Sequence, residues 1–324
     1  MKLATYWSGS EAQPRIGVLF VHESVDYLID VEAACAITHT RVPHNMVALL
    51  GGGEVVMDAV RKGVQSITGQ ATATLASATS NVQTLCGQGV LCRLPDVHLL
   101  APLPRPGKIV AIGANYHDHI QEGRQSGALG KLPSYPPAFL KMPSGVVGHG
   151  EPIIYPHLGS ELDYEVELSI VIGKRCQDIQ PDRWLDYVAG YTIINDLSLR
   201  DVILQEKDSG IVLVGKNFVS ACPMGPYLVT KDEIADPDNI AVELRVNGEM
   251  RQRDRTNSMI HTCGAIVAYW SRLGLEPGDV LTTGTPGGGA GFGRRHPERL
   301  LKIGDVVEAE IEGIGILRNQ VIGA

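Results

Sequence analysis

The sequence predicts an α+β protein that is mostly β, and three observations carry that prediction. From residue 139 onward, short runs rich in β-branched and aromatic residues recur, while helical periodicity is rare. These strands do not alternate with helices, which excludes a doubly wound parallel sheet, where nearly every strand is followed by a helix. The first hundred residues read differently, and a proline-punctuated stretch over residues 94–106 separates them from the rest.

The division is into a small N-terminal α+β domain, residues 1–104, and a larger domain, residues 105–324. In the first, residues 3–6, 15–21 and 27–30 read as strands and residues 31–38 as a helix. A second helix covers 54–67, with Val55, Ala59, Val60 and Val64 at helical spacing. Residues 68–88 read as a weak helix or a loop. In the larger domain, 108–113 is a buried strand, 115–122 a turn entering a short helix, and 126–137 a mobile loop rich in Gly, Pro and Ser. Strands follow at 139–142, 164–172, 191–195, 227–230, 240–246, 280–283 and 306–311. Helices are placed at 184–188, 199–206 and 260–273.

Composition narrows the class of protein. The 324 residues are 44% hydrophobic and 20% charged, an ordinary globular balance. With 28 Lys and Arg against 36 Asp and Glu the net charge is −8, which argues against nucleic acid or an anionic membrane as partner. No run approaches the roughly 18 apolar residues of a membrane span and no secretory signal is visible, so a cytoplasmic location is expected. Six cysteines (Cys35, Cys86, Cys92, Cys176, Cys222, Cys263) form no Cys-x-x-Cys pair and are expected to be reduced core residues.

The chemistry centres on residues 161–173, ELDYEVELSIVIG. Strand alternation places Asp163, Glu165 and Glu167 on one face, roughly 7 Å from neighbour to neighbour. The run that follows is apolar on both faces, so the strand enters a core. Buried anions this close must be protonated, paired with Lys or Arg, or bound to a cation. Oxygen-only ligation suits Mg, Ca or Mn rather than zinc. The competing reading is a solvated strand face with no cation.

Further segments carry functional side chains. Asp196 follows an apolar strand and can supply another carboxylate. His119 and Glu122, three apart, share one helix face. Residues 214–218 hold Lys216, and Thr283-Gly284-Thr285-Pro286 closes a strand at a glycine loop. That loop, residues 284–293, matches neither a dinucleotide fingerprint nor a P-loop, which argues against a phosphate role.

The ordered set Asn-Tyr-x-x-His-x-x-Glu, Glu-x-Glu, Asn-Asp-x-Ser-x-Arg-Asp, Gly-Lys-x-Phe and Thr-Gly-Thr-Pro resembles the fumarylacetoacetate hydrolase family across residues 107–321. The likeness is to bacterial acylpyruvate hydrolases and 2-hydroxyhepta-2,4-diene-1,7-dioate isomerases. It implies a β-roll catalytic domain, assembly as a homodimer, and Glu165, Glu167 and Asp196 as ligands of Mg²⁺ or Mn²⁺, with Ca²⁺ able to take their place. Asp163 then falls at the rim or behind the ligands. By the same resemblance His119 and Glu122 form a water-activating dyad, Lys216 offsets charge on an enolate or carboxylate oxygen, and Arg200, Thr285, Tyr116 and Lys141 contact substrate. Two positions depart from the pattern: Ile203 stands where members commonly have Gln, and Gly287 where Ala is usual.

The implied activity is metal-dependent hydrolysis of a carbon–carbon bond in a 1,3-diketo acid of the acylpyruvate or fumarylpyruvate type, giving pyruvate and a carboxylic acid. The alternative is isomerisation, tautomerisation or decarboxylation of a β-keto diacid such as oxaloacetate or a homoprotocatechuate-pathway intermediate, since each uses the same stabilised enolate. A binding protein without catalysis, or a purely structural β protein, would lack one of these positions or any response to metal.

Overall fold

The computed structural model describes residues 1–9, 13–72, 78–125, 127, 130–290 and 296–324. Residues 126, 128 and 129 of the expected mobile loop, 73–77 of the weak-helix segment and 291–293 of the glycine loop lie outside the described residues.

The chain opens with an antiparallel meander of β1 (Lys2–Trp7), β2 (Arg15–His22) and β3 (Val25–Asp30). Asp30 ends β3 and caps α1 (Val31–Ile37) by accepting the Ala33 N–H. The same carboxylate takes the Tyr6 hydroxyl at 2.7 Å and Arg15 Nη2 at 2.6 Å, which ties strand to helix. Helices α2 (Met46–Gly51), α3 (Gly53–Thr72) and α4 (Ala78–Gly87) follow, then the short strands β4 (Leu91–Arg93) and β5 (His98–Leu100). The 68–88 segment is therefore helical on both sides of its undescribed part. In α3 the buried stripe runs through Met57, Val60, Gly63, Ile67 and Ala71, while Val55 is 83% exposed and takes no part in it.

The rest comprises β6 (Ile109–Ile112), α5 (His117–Gln125), β7 (Ala138–Lys141), β8 (Val146–Val147), β9 (Ile153–Ile154), β10 (Leu162–Asp163) and β11 (Val166–Ile172). Next come β12 (Val188–Asn195), β13 (Ser198–Leu199), α6 (Arg200–Glu206) and β14 (Cys222–Thr230). The chain closes with β15 (Ala241–Val246), β16 (Glu249–Arg255), α7 (Cys263–Trp270), β17 (Val280–Thr282), β18 (Val306–Ile311) and β19 (Gly315–Ile322). The fold is mixed α+β and mostly sheet.

One sheet runs in the order β4-β3-β2-β1-β14-β12-β11-β17-β6-β7, with β5 added on β1 and β8 on β14. The first hundred residues join it where β1 pairs with β14, Leu3 opposite Leu228. A second sheet, β16-β15-β18-β19-β9, packs its Val242, Leu244, Val307, Ala309 and Leu317 into the same core that holds Leu168 and Ile170 of β11. Every residue of β11 is buried, as its two-sided apolar pattern required.

Several expected elements differ. The strand over 164–172 is not continuous with Asp163: β10 pairs with β13, β11 pairs with β12, and Tyr164 and Glu165 form the step between. At that step the Glu165 N–H goes to the Asn195 side chain at 3.0 Å instead of a ladder partner. The helix at 184–188 is a 3₁₀ turn, Pro181–Asp186, because Val188 already belongs to β12. The helix at 260–273 is shorter, since Thr262 caps it and its last residues, Ser271–Leu273, tighten to 3₁₀. Strand β16 is masked in the sequence by its charges: as an edge strand of its sheet it buries only Gln252 fully. The cysteines are free, four of them buried, with Cys86 and Cys92 partly exposed.

Candidate active site

The site forms where the polypeptide leaves the central strands. Antiparallel pairing of β11 with β12 sets Val166 opposite Asn195 and Glu167 opposite Ile194, so Asp196 emerges beside the glutamates. The Asp196 N–H donates to Glu165 O at 2.7 Å, fixing that step. Glu165, Glu167 and Asp196 are all buried and offer carboxylate oxygens within 4.8 Å of one another. The solvated-face reading of these residues does not hold.

Three cations compensate four carboxylates here. Arg200, at the start of α6, donates from Nε to Asp163 Oδ2 at 2.8 Å and from Nη2 to Glu165 Oε1. Lys216 Nζ lies 2.5 Å from Glu165 Oε2 and 2.8 Å from Asp196 Oδ2, with the Phe139 ring 4.9 Å away. Lys141 is buried beneath Asp196, its Nζ 2.6 Å from Oδ1, 2.7 Å from Lys216 O and 3.4 Å from Leu197 O. An ammonium has three N–H groups, and these three acceptors occupy them. Its placement is that of a counter-ion behind Asp196 and not of a group facing the chamber. Asp163 is fully buried, so it is not a rim residue; besides Arg200 it accepts the Ala290 N–H at 2.9 Å.

The charge distribution follows from these contacts. Burial by itself would raise the Glu165 pKa, but Arg200 and then Lys216 outweigh it and hold the carboxyl well below the usual range. Glu167 is pushed the other way, by burial first and then by Asp196 and Glu165, because its partners are neutral: the Gly284 N–H at 3.1 Å and the Thr282 hydroxyl. Three carboxylates converging in a buried site, one of them driven towards its protonated form by burial and by the other two, are the electrostatic signature of a site for a divalent oxygen-ligated cation. The donor set fits Mg²⁺ or Mn²⁺, and Glu165, Glu167 and Asp196 would hold it.

These residues floor a chamber of about 460 Å³ whose lining includes His119, Arg200, Lys216 and Thr285. His119 projects from α5 and is buried; its pKa falls to about 4, through burial first and then the charges of Arg200 and Lys216. Glu122, one turn later on α5, accepts the Gly288 N–H at 3.2 Å. Gly287 precedes that contact, and a Cβ there would lie 3.1 Å from Glu122 Oε1 and 3.2 Å from Asp118 Cβ, so the departure from Ala lets the glycine loop seat closely on α5. Thr285 donates its hydroxyl to Val166 O at 3.0 Å and accepts from Gln252 Nε2 at 2.9 Å. Tyr116 is wholly buried in the hydrophobic core and does not line the chamber.

Two supporting residues escaped sequence reasoning. Asn195 holds Glu165 through its side chain; it opens the Asn-Asp-x-Ser-x-Arg-Asp motif, which did not mark that role. Gln252 accepts from Val166 N–H at 3.0 Å and donates to Thr285 Oγ1 and to Pro286 O at 2.8 Å, thereby clamping the glycine loop to β11. Nothing in the charged β16 sequence marked it.

Comparison with known proteins agrees with this architecture. Residues 108–322 match the fumarylacetoacetate (FAA) hydrolase C-terminal family. The chain is 36% identical over 323 residues to a mitochondrial oxaloacetate tautomerase of Xenopus laevis, covering 99% of this chain and 90% of that protein. It is 42% identical over 233 residues to an oxaloacetate tautomerase of Bacillus subtilis, covering 70% and 74% respectively. Among solved structures it resembles the maleylpyruvate hydrolase of Sphingobium sp. SYK-6 in complex with manganese(II) and pyruvate, with a TM-score of 0.72, 25% identity and full coverage of both chains.

Proposed function

We propose a function from one premise: this chain belongs to the fumarylacetoacetate hydrolase family. The reading is that it is a divalent-metal-dependent enzyme interconverting keto and enol forms of a 2-oxo acid, the reaction type named for the oxaloacetate tautomerases it resembles. The observation that carries it is the buried convergence of Glu165, Glu167 and Asp196 at the floor of a chamber that also holds His119 and Lys216.

Mg²⁺ or Mn²⁺ held by Glu165, Glu167 and Asp196 would supply Lewis acidity towards a 2-oxo acid. The chain's own groups do the rest. His119, neutral because of its burial, accepts a proton from C3 of the keto form and returns one in the reverse direction. Lys216 stays cationic, because Asp196 and Glu165 outweigh the desolvation that would lower its pKa, and it stands beside the oxygen on which negative charge develops. Arg200 keeps Glu165 ionised and Lys141 holds Asp196 in place through its Nζ–Oδ1 contact. Arg200 and Thr285 border the space a substrate would occupy, and Glu122 anchors the glycine loop to the helix that carries His119.

A second reading, hydrolysis of a 2,4-dioxo acid, draws support from the likeness to maleylpyruvate hydrolase and from His119 and Glu122 on one helix turn. His119 would then take a proton from water as it attacks the distal carbonyl. The C3–C4 bond breaks, its electron pair passes to C3 as the pyruvate enolate, and a proton returns to C3. Incubating the protein and Mn²⁺ with oxaloacetate and with acetylpyruvate separates the two. Loss of enol absorbance without pyruvate formation supports tautomerisation, release of pyruvate and acetate supports hydrolysis, and neither result contradicts both.

The proposal includes a homodimer. Met142, Leu158 and Val219, each 46–66% exposed, line one shallow surface pocket that a second copy would cover. Sedimentation velocity at micromolar concentration tests it, a monomer being the contrary result.

A further inference from the structure

Helix α6 acts as a ruler along one wall of the chamber. Residues at i, i+3 and i+4 share a helix face, and here those positions are Arg200, Ile203 and Leu204, with Lys207 at i+7 opening the 3₁₀ turn that continues the helix; all four line the cavity. Arg200 is buried against Asp163 and Glu165, Leu204 is 40% exposed, and Lys207 is exposed at the mouth, roughly 10 Å from Arg200 at 1.5 Å rise per residue. The wall thus runs from the chelating floor to solvent with a hydrocarbon stretch between.

Ile203 is locked into that stretch. A Cβ on Gly215 would lie 2.5 Å from Ile203 Cγ1 and 2.9 Å from Ile203 N, so only glycine lets the segment carrying Lys216 pack this closely on α6. Other lining residues are also apolar, Leu132, Pro137 and Phe139 among them. Of the side chains lining the cavity, the ionic ones other than Lys207 gather at the carboxylate floor. The volume of about 460 Å³ lies in the range that encloses a ligand considerably larger than a four-carbon diacid.

We infer that Ile203 is a specificity-determining residue, and that the chamber selects 2-oxo acids bearing an uncharged hydrocarbon group on the side away from the chelating oxygens. This rests on the enolisation reading above and narrows it. A carboxylate at the position of Ile203 would be desolvated against alkyl groups, the nearest lining cation on that wall away from the carboxylate floor, among the described residues, being Lys207 one turn towards solvent, whereas an alkyl chain gains burial. Lys207, at the solvated mouth, lies beyond the reach of a short diacid whose other end is held at the floor.

The test compares oxaloacetate, 2,4-dioxopentanoate, 2,4-dioxoheptanoate, 2,4-dioxononanoate and the carboxylate-ended 2,4-dioxoheptanedioate with the Mn²⁺-loaded protein, following loss of enol absorbance. Each methylene buried against Ile203 and Leu204 is expected to raise kcat/KM about fourfold. Ile203→Gln flattens the alkyl series while 2,4-dioxopentanoate turnover persists. Should Ile203→Gln fail to fold, Leu204→Gln, at a half-exposed position of the same wall, is expected to reduce the slope in the same sense. A flat alkyl series, or oxaloacetate as the best substrate, overturns the inference and leaves enolisation standing. A preference for the heptanedioate that Lys207→Ala removes also overturns it, since a charged tail would then be read at the rim. Turnover of none of the five removes the enolisation reading and this inference with it.

Discussion

Lys141 and Asp196 form an ion pair in which both side chains are out of water, Nζ to Oδ1 2.6 Å. The pair positions one of the three converging carboxylates from behind; Glu165 shares the Lys216 ammonium with Asp196, and Glu167 has no ammonium partner among the described residues. Lys141→Met would leave Asp196 facing Lys216 alone and strand a buried charge. Its expected cost is about 3–5 kcal/mol in urea denaturation, with partial recovery when Asp196→Asn is added. A loss below about 1 kcal/mol would mean that water reaches Asp196.

The elevated proton affinity of Glu167 leads to a prediction about metal. Mg²⁺ or Mn²⁺ should raise Tm, approaching about 2.7 kcal/mol of added stability at a hundred times Kd. In Glu167→Gln the amide resembles the protonated carboxyl that this environment favours, so stability without metal changes little and the metal response disappears. A retained response in that variant would place the cation elsewhere.

The buried imidazole sets the acid side of the pH profile. Since the His119 pKa is lowered to about 4, the neutral base persists well below the value of roughly 6.5 for a solvated histidine. With saturating metal, kcat/KM should stay level from pH 7 to about 5.5, and an acid limb centred at about 6.5 would exclude His119 as the base. The same shift bears on stability with a fixed sign. Because the folded pKa is the lower one, this group's contribution is constant above about pH 6.5 and declines as pH falls from there to about 4.

Gln252 offers a test of the loop clamp. Gln252→Leu removes the partner of the Val166 N–H and both acceptors' donor at Thr285 and Pro286, each loss worth about 1–3 kcal/mol when the group stays buried. Amide exchange at Val166 and Gly284 should quicken by tenfold or more while β1 and β2 amides are unaffected. Uniform protection in both regions would contradict the clamp.

Much of this was legible in the sequence because the informative residues are local. The step at Asp163 to Glu167, the acidic residue closing β12 and the pair on α5 each lie within a few positions of a strand or helix end, and two-sided apolarity marked β11 as buried. Asp163 lies behind the ligand positions, the second of its two expected places, whereas Lys141 was misplaced because a sequence reports that a charge is present, while its direction depends on what β7 pairs with. Gln252 and Asn195 act through long-range contacts to residues 86 and 30 positions away, and no periodicity encodes those. The join of β1 to β14 was equally invisible, because an antiparallel pairing across more than two hundred residues leaves no local trace.

The most direct test of metal-assisted enolisation at Glu165, Glu167 and Asp196 is proton exchange at C3 of a 2-oxo acid in D₂O, followed by NMR with 2-oxobutyrate and oxaloacetate. Wild-type protein with Mg²⁺ is predicted to accelerate deuterium incorporation at C3 at least a hundredfold over Mg²⁺ alone, and Glu167→Gln and His119→Ala should each return it near the background rate. Equal exchange in wild type, both variants and the protein-free control would contradict the account.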